Sequence, residues 1–172
     1  MQYLSEATDL HHSGRAGQST MNLIAQMLSP EDILLDVDAP SKRRVFEEVG
    51  RLFERRHGLA QAQVVDSLSA REKLGSTGLG HGVAIPHARV KGLPKAMAAI
   101  VRTRLPIPFD APDGKPVSDM VVLLVPEQAT EEHLQILAWI AQVFADRQFR
   151  QRLRMCVDAA SVSRLFADWP QS

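Results

Sequence analysis

Six histidines stand in a chain with a single cysteine, Cys156, and two of them, His87 and His133, occupy settings where an imidazole can do chemistry. His87 ends the stretch Gly78-Leu79-Gly80-His81-Gly82-Val83-Ala84-Ile85-Pro86-His87. Alternating glycines leave an extended backbone open on one side or let it bend where a side chain would clash. Val83 to Ile85 reads as a short buried strand, and Pro86, which has no N–H, is expected to end its ladder. A histidine just past such a strand end is well placed to react, although a turn carrying an incidental histidine fits the same pattern. His133 follows Thr130, Glu131 and Glu132, which places it in the first turn of a helix. The unpaired N–H groups of that turn attract anions, and a neutral imidazole donates through one nitrogen while accepting through the other. A half-buried histidine satisfied by the backbone is the competing reading.

The remaining histidines offer less. His11 and His12 lie in an aperiodic stretch, His57 closes a helix where it can meet terminal carbonyls, and His81, between two glycines, is expected at the surface. His81, His87 and His133 do not form a zinc spacing, so no metal is expected. No Gly-x-Ser-x-Gly element occurs, the glycines are not followed by Gly-Lys-Ser/Thr, and their spacing is not that of a dinucleotide fingerprint, so no cofactor is expected.

The elements that must position these residues follow from periodicity. Residues 1–20 carry no sustained pattern and are expected to form a flexible tail. The domain is expected over residues 21–169, with too few residues after Trp169 for another. Pro30 starts a short turn before a strand at Ile33-Leu34-Leu35. Ser41 caps a helix from about Lys42 to His57, with Val45, Phe46, Val49, Leu52 and Phe53 as its buried stripe and Gly58 as its stop. A second helix spans about Ala62 to Leu74, with Val64, Val65, Leu68 and Leu74 inward. Arg89 to Pro94 reads as a connection, Ala96 to Val101 as a strand, and Asp110 to Pro116 as a turn. Met120 to Val125 is wholly apolar, as in a central strand covered on both faces. Thr130 caps a helix over Glu131 to Ala145 that places Leu134, Leu137, Ile140, Ala141 and Phe144 on one side. Asp146 and Asp158 cap two more helices. Helices before and after a group of strands predict a single α/β domain of three layers, a mixed sheet flanked by helices on both sides.

Composition agrees with that class. Apolar residues make up 45% and charged residues 23%, and 20 basic residues balance 20 acidic ones, so nothing draws the whole chain toward nucleic acid or an anionic membrane. No apolar run reaches membrane-spanning length and no signal-peptide core precedes the domain, so the expected location is the cytoplasm.

The run Arg71-Glu72-Lys73-Leu74-Gly75-Ser76-Thr77-Gly78-Leu79-Gly80, followed by Gly82 to His87, resembles the phosphorylation-site signature of phosphotransferase-system IIA domains of the fructose/mannitol type. Met21 to Gln26, Ile33 to Asp36 and the residues around Ser41 to Phe46 are similar to the nitrogen-regulatory branch of that family. The resemblance implies that His87 is the phosphorylated residue, His133 the second active-site histidine and Arg71 a site-adjacent arginine, with Thr77, Gly80 and Gly82 around the phosphoryl group. It implies a small phosphocarrier protein as donor, charged from phosphoenolpyruvate. It also implies regulatory partners such as sensor kinases or potassium transporters, bound according to phosphorylation. His81 departs from the pattern, since relatives often carry a small amide there. Two alternatives stand beside this reading: a stand-alone transport subunit that passes the group to a IIB domain, and a binding module that no longer relays it.

Overall fold

The computed structural model describes residues 27–128 and 130–169. The expected tail and the pattern at Met21 to Gln26 lie outside the described residues. A six-stranded mixed sheet forms the centre, with β1 (Ile33–Val37), β2 (Gly78–Gly80), β3 (Val83–Ala84), β4 (His87–Val90), β5 (Met97–Ile107) and β6 (Val117–Pro126). The order is β1-β5-β6-β3-β2, and β4 pairs with β6 farther along the edge that β3 also uses. β5 and β6 are antiparallel, while β1 on β5, and β3 and β4 on β6, are parallel.

Two helices, α1 (Lys42–His57) and α2 (Gln61–Leu74), precede the β2–β6 strands. Three follow them: α3 (Glu131–Ala145), α4 (Arg147–Met155) and α5 (Ala159–Asp168). β6 shows why the sheet must lie between helix layers. Met120, Val122 and Leu124 join one buried cluster with Val45, Phe46 and Phe53 of α1. Val121, Leu123 and Val125 join another with Ile136, Ile140 and Phe144 of α3. Successive side chains of a strand point to opposite faces, so an unbroken aliphatic run can only be satisfied by two cores. Full burial of such side chains is worth about 1.5–3 kcal/mol each, which makes β6 the strand the domain can least spare.

Several expectations need correction. Pro86 does not end the pairing. Its carbonyl accepts the Leu123 N–H at 2.9 Å, and the ladder resumes as β4, which occupies the start of the expected Arg89–Pro94 connection. Proline is tolerated there because the strand edge needs only its carbonyl. β5 runs beyond Val101 to Ile107, where it still pairs with Val117 of β6, with Thr103 and Ile107 buried and Arg104 and Leu105 exposed. Leu74 is 85% exposed rather than inward. The buried stripe of α3 is Ile136, Ile140, Val143 and Phe144, and Leu134 is 61% exposed. Ile140 and Phe144 are buried as expected, Leu137 and Ala141 pack partly buried against the same cluster, and Ile136 and Val143 complete it, so Leu134 is the one position that turns outward. His57 does not cap its helix. Its Nε2 faces the buried Asp32 carboxylate at 3.4 Å, beside Arg56 at 3.1 Å, and its ring tilts against Phe53.

Candidate functional site

His87 opens β4, and its Nδ1 lies 2.8 Å from the carbonyl oxygen of Ile85. A carbonyl only accepts, so the proton sits on Nδ1 and Nε2 carries the free lone pair. His133 is held the other way round. The N–H of Thr130 donates to its Nδ1 at 3.0 Å, which makes Nδ1 the acceptor and puts the ring proton on Nε2. This is half of a capping box with histidine in the position usually taken by glutamate: the third residue of the helix reaches back to the N-cap N–H.

The two rings meet in one cavity of about 400 Å³ between the end of α2, β4 and the start of α3. Arg71 and Arg89 supply its cations, and Leu74 and Leu134 its apolar rim. Both histidines are half-buried, accessible without lying deep. Arg71 also donates to the carbonyl of Gly75 at 2.9 Å, which ties its guanidinium to the turn that ends α2. The cavity therefore holds a nucleophilic nitrogen, a ring N–H donor and two guanidinium groups. Such a set can accept a tetrahedral anion and stabilise charge spread over its oxygens.

Sequence reading missed Arg89 and the two leucines. Arg89 lies two residues from His87, and residues i and i+2 of a strand share a face. That signal existed but was hidden by treating Pro86 as a terminator. Leu74 and Leu134 were read as core.

Thr77, Gly80 and Gly82 are not brought to this cavity. Thr77 is buried under α2, where Glu72 accepts its N–H at 3.0 Å and its hydroxyl at 2.7 Å, and also accepts from Lys42 at 2.9 Å. Gly80 and Gly82 flank His81 in the hairpin that joins β2 to β3. All three have positive φ, at 88°, 79° and 57° respectively. A two-residue hairpin turn with positive φ at both central positions matches the strand twist, and histidine is among the residues that tolerate it. Asp113 fixes the hairpin by accepting the His81 N–H at 2.8 Å, and this bond holds its carboxyl below the usual range. Gly78 has a steric reason, since a Cβ there would come within 2.9 Å of the Ala111 methyl. β3 meets β6 at Asp119 and Met120 and His87 meets it at Leu123, about 13 Å of strand away. The exposed His81 thus belongs to the hairpin, away from the paired histidines. Among the described residues no group of three or more His, Cys, Asp or Glu side chains could hold a metal ion. No described helix is long and apolar enough to cross a membrane.

Comparison with known proteins agrees with this architecture. The chain is similar to the nitrogen regulatory protein of Pseudomonas aeruginosa, 42% identical over 146 residues that cover 84% of this chain and 95% of the relative. It is similar to the crystal structure of the nitrogen regulatory protein IIA-Ntr from Neisseria meningitidis, at 50% identity and a TM-score of 0.80, covering 84% of this chain and 99% of that one. The IIA mannitol structure from Escherichia coli shares the fold, with a TM-score of 0.68 at 20% identity over 81% of this chain and 98% of that one. Residues 26–169 match the family described as "Phosphoenolpyruvate-dependent sugar phosphotransferase system, EIIA 2", and the chain belongs to that family, with nitrogen regulatory proteins among its near relatives.

Proposed function

We propose that His87 accepts a phosphoryl group on Nε2 from the phosphohistidine of a small phosphocarrier protein, and that the phosphorylation state then controls the binding of regulatory targets. One observation carries this reading: the two histidines of the cavity are fixed in complementary tautomers, one with a free Nε2 lone pair and one with an Nε2–H donor.

In the transfer, the Nε2 lone pair of His87 attacks phosphorus and a new N–P bond forms. The donor's N–P bond breaks, and its imidazole leaves with the electron pair. Catalysis of such a step is mostly positioning and stabilisation of charge on the phosphoryl oxygens. His133 donates to one oxygen, while Arg71 and Arg89 balance the charge. Exchange between two imidazoles is near thermoneutral, which suits a reversible relay. Leu74 and Leu134 form the apolar ring on which a carrier docks closely. A phosphoryl group placed inside that ring brings a charge of about −1.5 to −2 near pH 7, enough to turn an apolar docking rim into one that favours a different partner. Nitrogen-related control is the regulatory role that the likeness to nitrogen regulatory proteins supports, and sensor kinases or potassium transporters, met in the cytoplasm, are the targets we propose for it.

The test is incubation with phosphoenolpyruvate, the first enzyme and the carrier, read by intact mass and peptide mapping. Wild type is expected to gain one acid-labile, alkali-stable phosphoryl group on the peptide containing His87, and His87→Ala to gain none. Uptake by His87→Ala at the wild-type rate would overturn the assignment of the acceptor.

A further inference from the structure

The arginines of this chain are treated in two different ways. On α1 four of the five are paired, Arg43 and Arg44 with Glu47, Arg44 and Arg51 with Glu48, and Arg56 with Asp32, and Arg55 alone has no ion-pair partner among the described residues. On α4 the sequence Arg147-Gln-Phe-Arg150-Gln-Arg152-Leu-Arg154-Met155 contains four arginines and no carboxylate. Arg150 is spent on the carbonyl of Phe144 at 2.7 Å. Arg147, Arg152 and Arg154 are exposed, and none of them has an ion-pair partner among the described residues. Arg154 makes only a 3.3 Å bond to the carbonyl of His81. Beside them, Met155 is 80% exposed and Val157 87% exposed.

We infer that the outward side of α4, carrying Arg147, Arg154 and Met155 with Arg152 on its flank, is a second docking surface, for an acidic protein segment that also offers apolar side chains. The surface lies apart from the paired histidines, because α3, about 20 Å long, separates His133 from the start of α4. A partner held here need not compete with a phosphocarrier at His87.

The composition favours protein over other polyanions. Arginine and methionine are enriched at protein interfaces and lysine is depleted, and α4 has no lysine at all. A phosphate backbone would gain nothing from Met155 and Val157, and the chain as a whole carries no net charge to attract one. A lipid surface would need an apolar helix face, and α4 has already buried Phe149 and Leu153 in the core. Arg147 and Arg154 lie two helical turns apart, about 10 Å, so the complementary segment carries carboxylates at that spacing with an apolar residue beyond the one that faces Arg154, where Met155 and Val157 follow.

The probe is a fluorescein-labelled helical peptide with glutamates at i, i+4 and i+7 and leucine at i+11, measured by anisotropy against the full chain. Wild type is expected to bind it, with affinity falling as salt rises. The triple variant R147E/R152E/R154E is expected to bind about tenfold or more weakly, and R147Q/R152Q/R154Q to fall between. Both variants should keep the wild-type circular dichroism spectrum and the same phosphoryl uptake, which separates failure here from failure of the relay. Undiminished peptide binding by the glutamate variant would overturn the proposal, as would no binding by wild type. Tighter binding of double-stranded DNA or of phosphatidylglycerol vesicles than of the peptide would overturn it, and so would a wild-type dimer that the substitutions dissolve.

Discussion

His133 does two separable jobs in the proposed site, and substitutions can pull them apart. Its Nδ1 accepts from the Thr130 N–H at 3.0 Å and so closes the start of α3. Its ring lines the cavity it shares with His87, and the proposed transfer uses its Nε2–H as donor. His133→Ala removes both. Loss of a cap costs about 1 kcal/mol of stability, and loss of one donor to a developing oxyanion costs about 2.7–4 kcal/mol in the barrier. At 1.36 kcal/mol per decade, the second figure slows transfer roughly 100- to 1000-fold. His133→Glu keeps the cap, because glutamate is the usual residue for reaching back to the N-cap N–H and suits the positive end of the helix dipole. It replaces the donor by a second negative group, so transfer should be at least as slow as in the alanine variant. His133→Gln keeps the cap through its carbonyl and retains an amide donor, with less reach.

Urea denaturation reads the cap, and rapid-quench mass spectrometry with the charged carrier reads the transfer. The expected pattern is a stability order of Glu and Gln above Ala, and a transfer order of wild type, then Gln, then Ala and Glu. If the glutamate variant transfers at the wild-type rate while folded, the Nε2–H is not a donor to the moving group and the tautomer argument fails. Long-range ¹⁵N correlation spectra of the phosphorylated protein provide a second check, since the same argument puts the phosphoryl group on Nε2 of His87 and keeps Nδ1 protonated against Ile85.

Other consequences follow from the surroundings. Glu72→Ala removes a carboxylate that Thr77 and Lys42 share at the end of α2, and leaves Lys42 with the exposed Asp110 at 3.8 Å and the face of the Phe109 ring at 4.6 Å; it should cost about 2–3 kcal/mol by denaturation. Gly80→Ala should destabilise by about 1 kcal/mol, because its φ is 88°. It should leave phosphoryl transfer to the folded protein unchanged, and transfer lost while the fold is retained would return the hairpin to the site. Arg102→Ala removes the guanidinium that pairs with the buried Asp119 at 2.9 Å and meets the carbonyls of Leu153 and Cys156, so a loss of about 3 kcal/mol is expected in the same measurement. The carboxyl of Asp146 is held below its ordinary value by the Trp169 indole N–H first and the N–H groups of Phe149 and Gln148 after it. A depressed folded value means that its stabilisation is present above the unfolded value of about 3.9 and is lost as pH falls through the lower folded value. The thermal midpoint of Asp146→Asn should therefore fall less steeply with acid than that of wild type, and parallel curves would contradict the assignment.

The parts that were legible in the sequence are those encoded by one period or one residue type. β6 announced itself because an aliphatic run from Met120 to Val125 has no other home than the middle of a three-layer domain. α1 was legible from its stripe, its Ser41 cap and Gly58, whose φ is 73°. The stripe of α3 was legible at Leu137, Ile140, Ala141 and Phe144 but not at its start, where Leu134 fits a three-and-four pattern as well as Ile136 and Val143 do. Only the position of the sheet decides between them, and it leaves Leu134 exposed at the cavity while Leu137 packs against the core. Arg89 was obscured by Pro86, since local chemistry cannot say whether a neighbouring strand needs the proline's missing N–H or only its carbonyl. Thr77 stood within a motif about a reactive histidine, yet its partners, Glu72 and Lys42, make it a clasp on α2.

The chemistry of the site is more local than its assembly. Ile85 sets the tautomer of His87 from two residues away, and Thr130 sets that of His133 from three. Each short segment therefore prepares its own ring, whatever the rest of the chain does. What neither segment can do is bring the rings together. β6 does this, because its end pairs with β4, from His87↔Leu123 to Val90↔Pro126, and only a short connection separates Pro126 from the first turn of α3. A change that shifts the register of β4 on β6 by one residue would turn His87 to the opposite face of the sheet and leave both tautomers intact. Loss of transfer with unchanged local hydrogen bonds in such a variant would separate assembly from preparation.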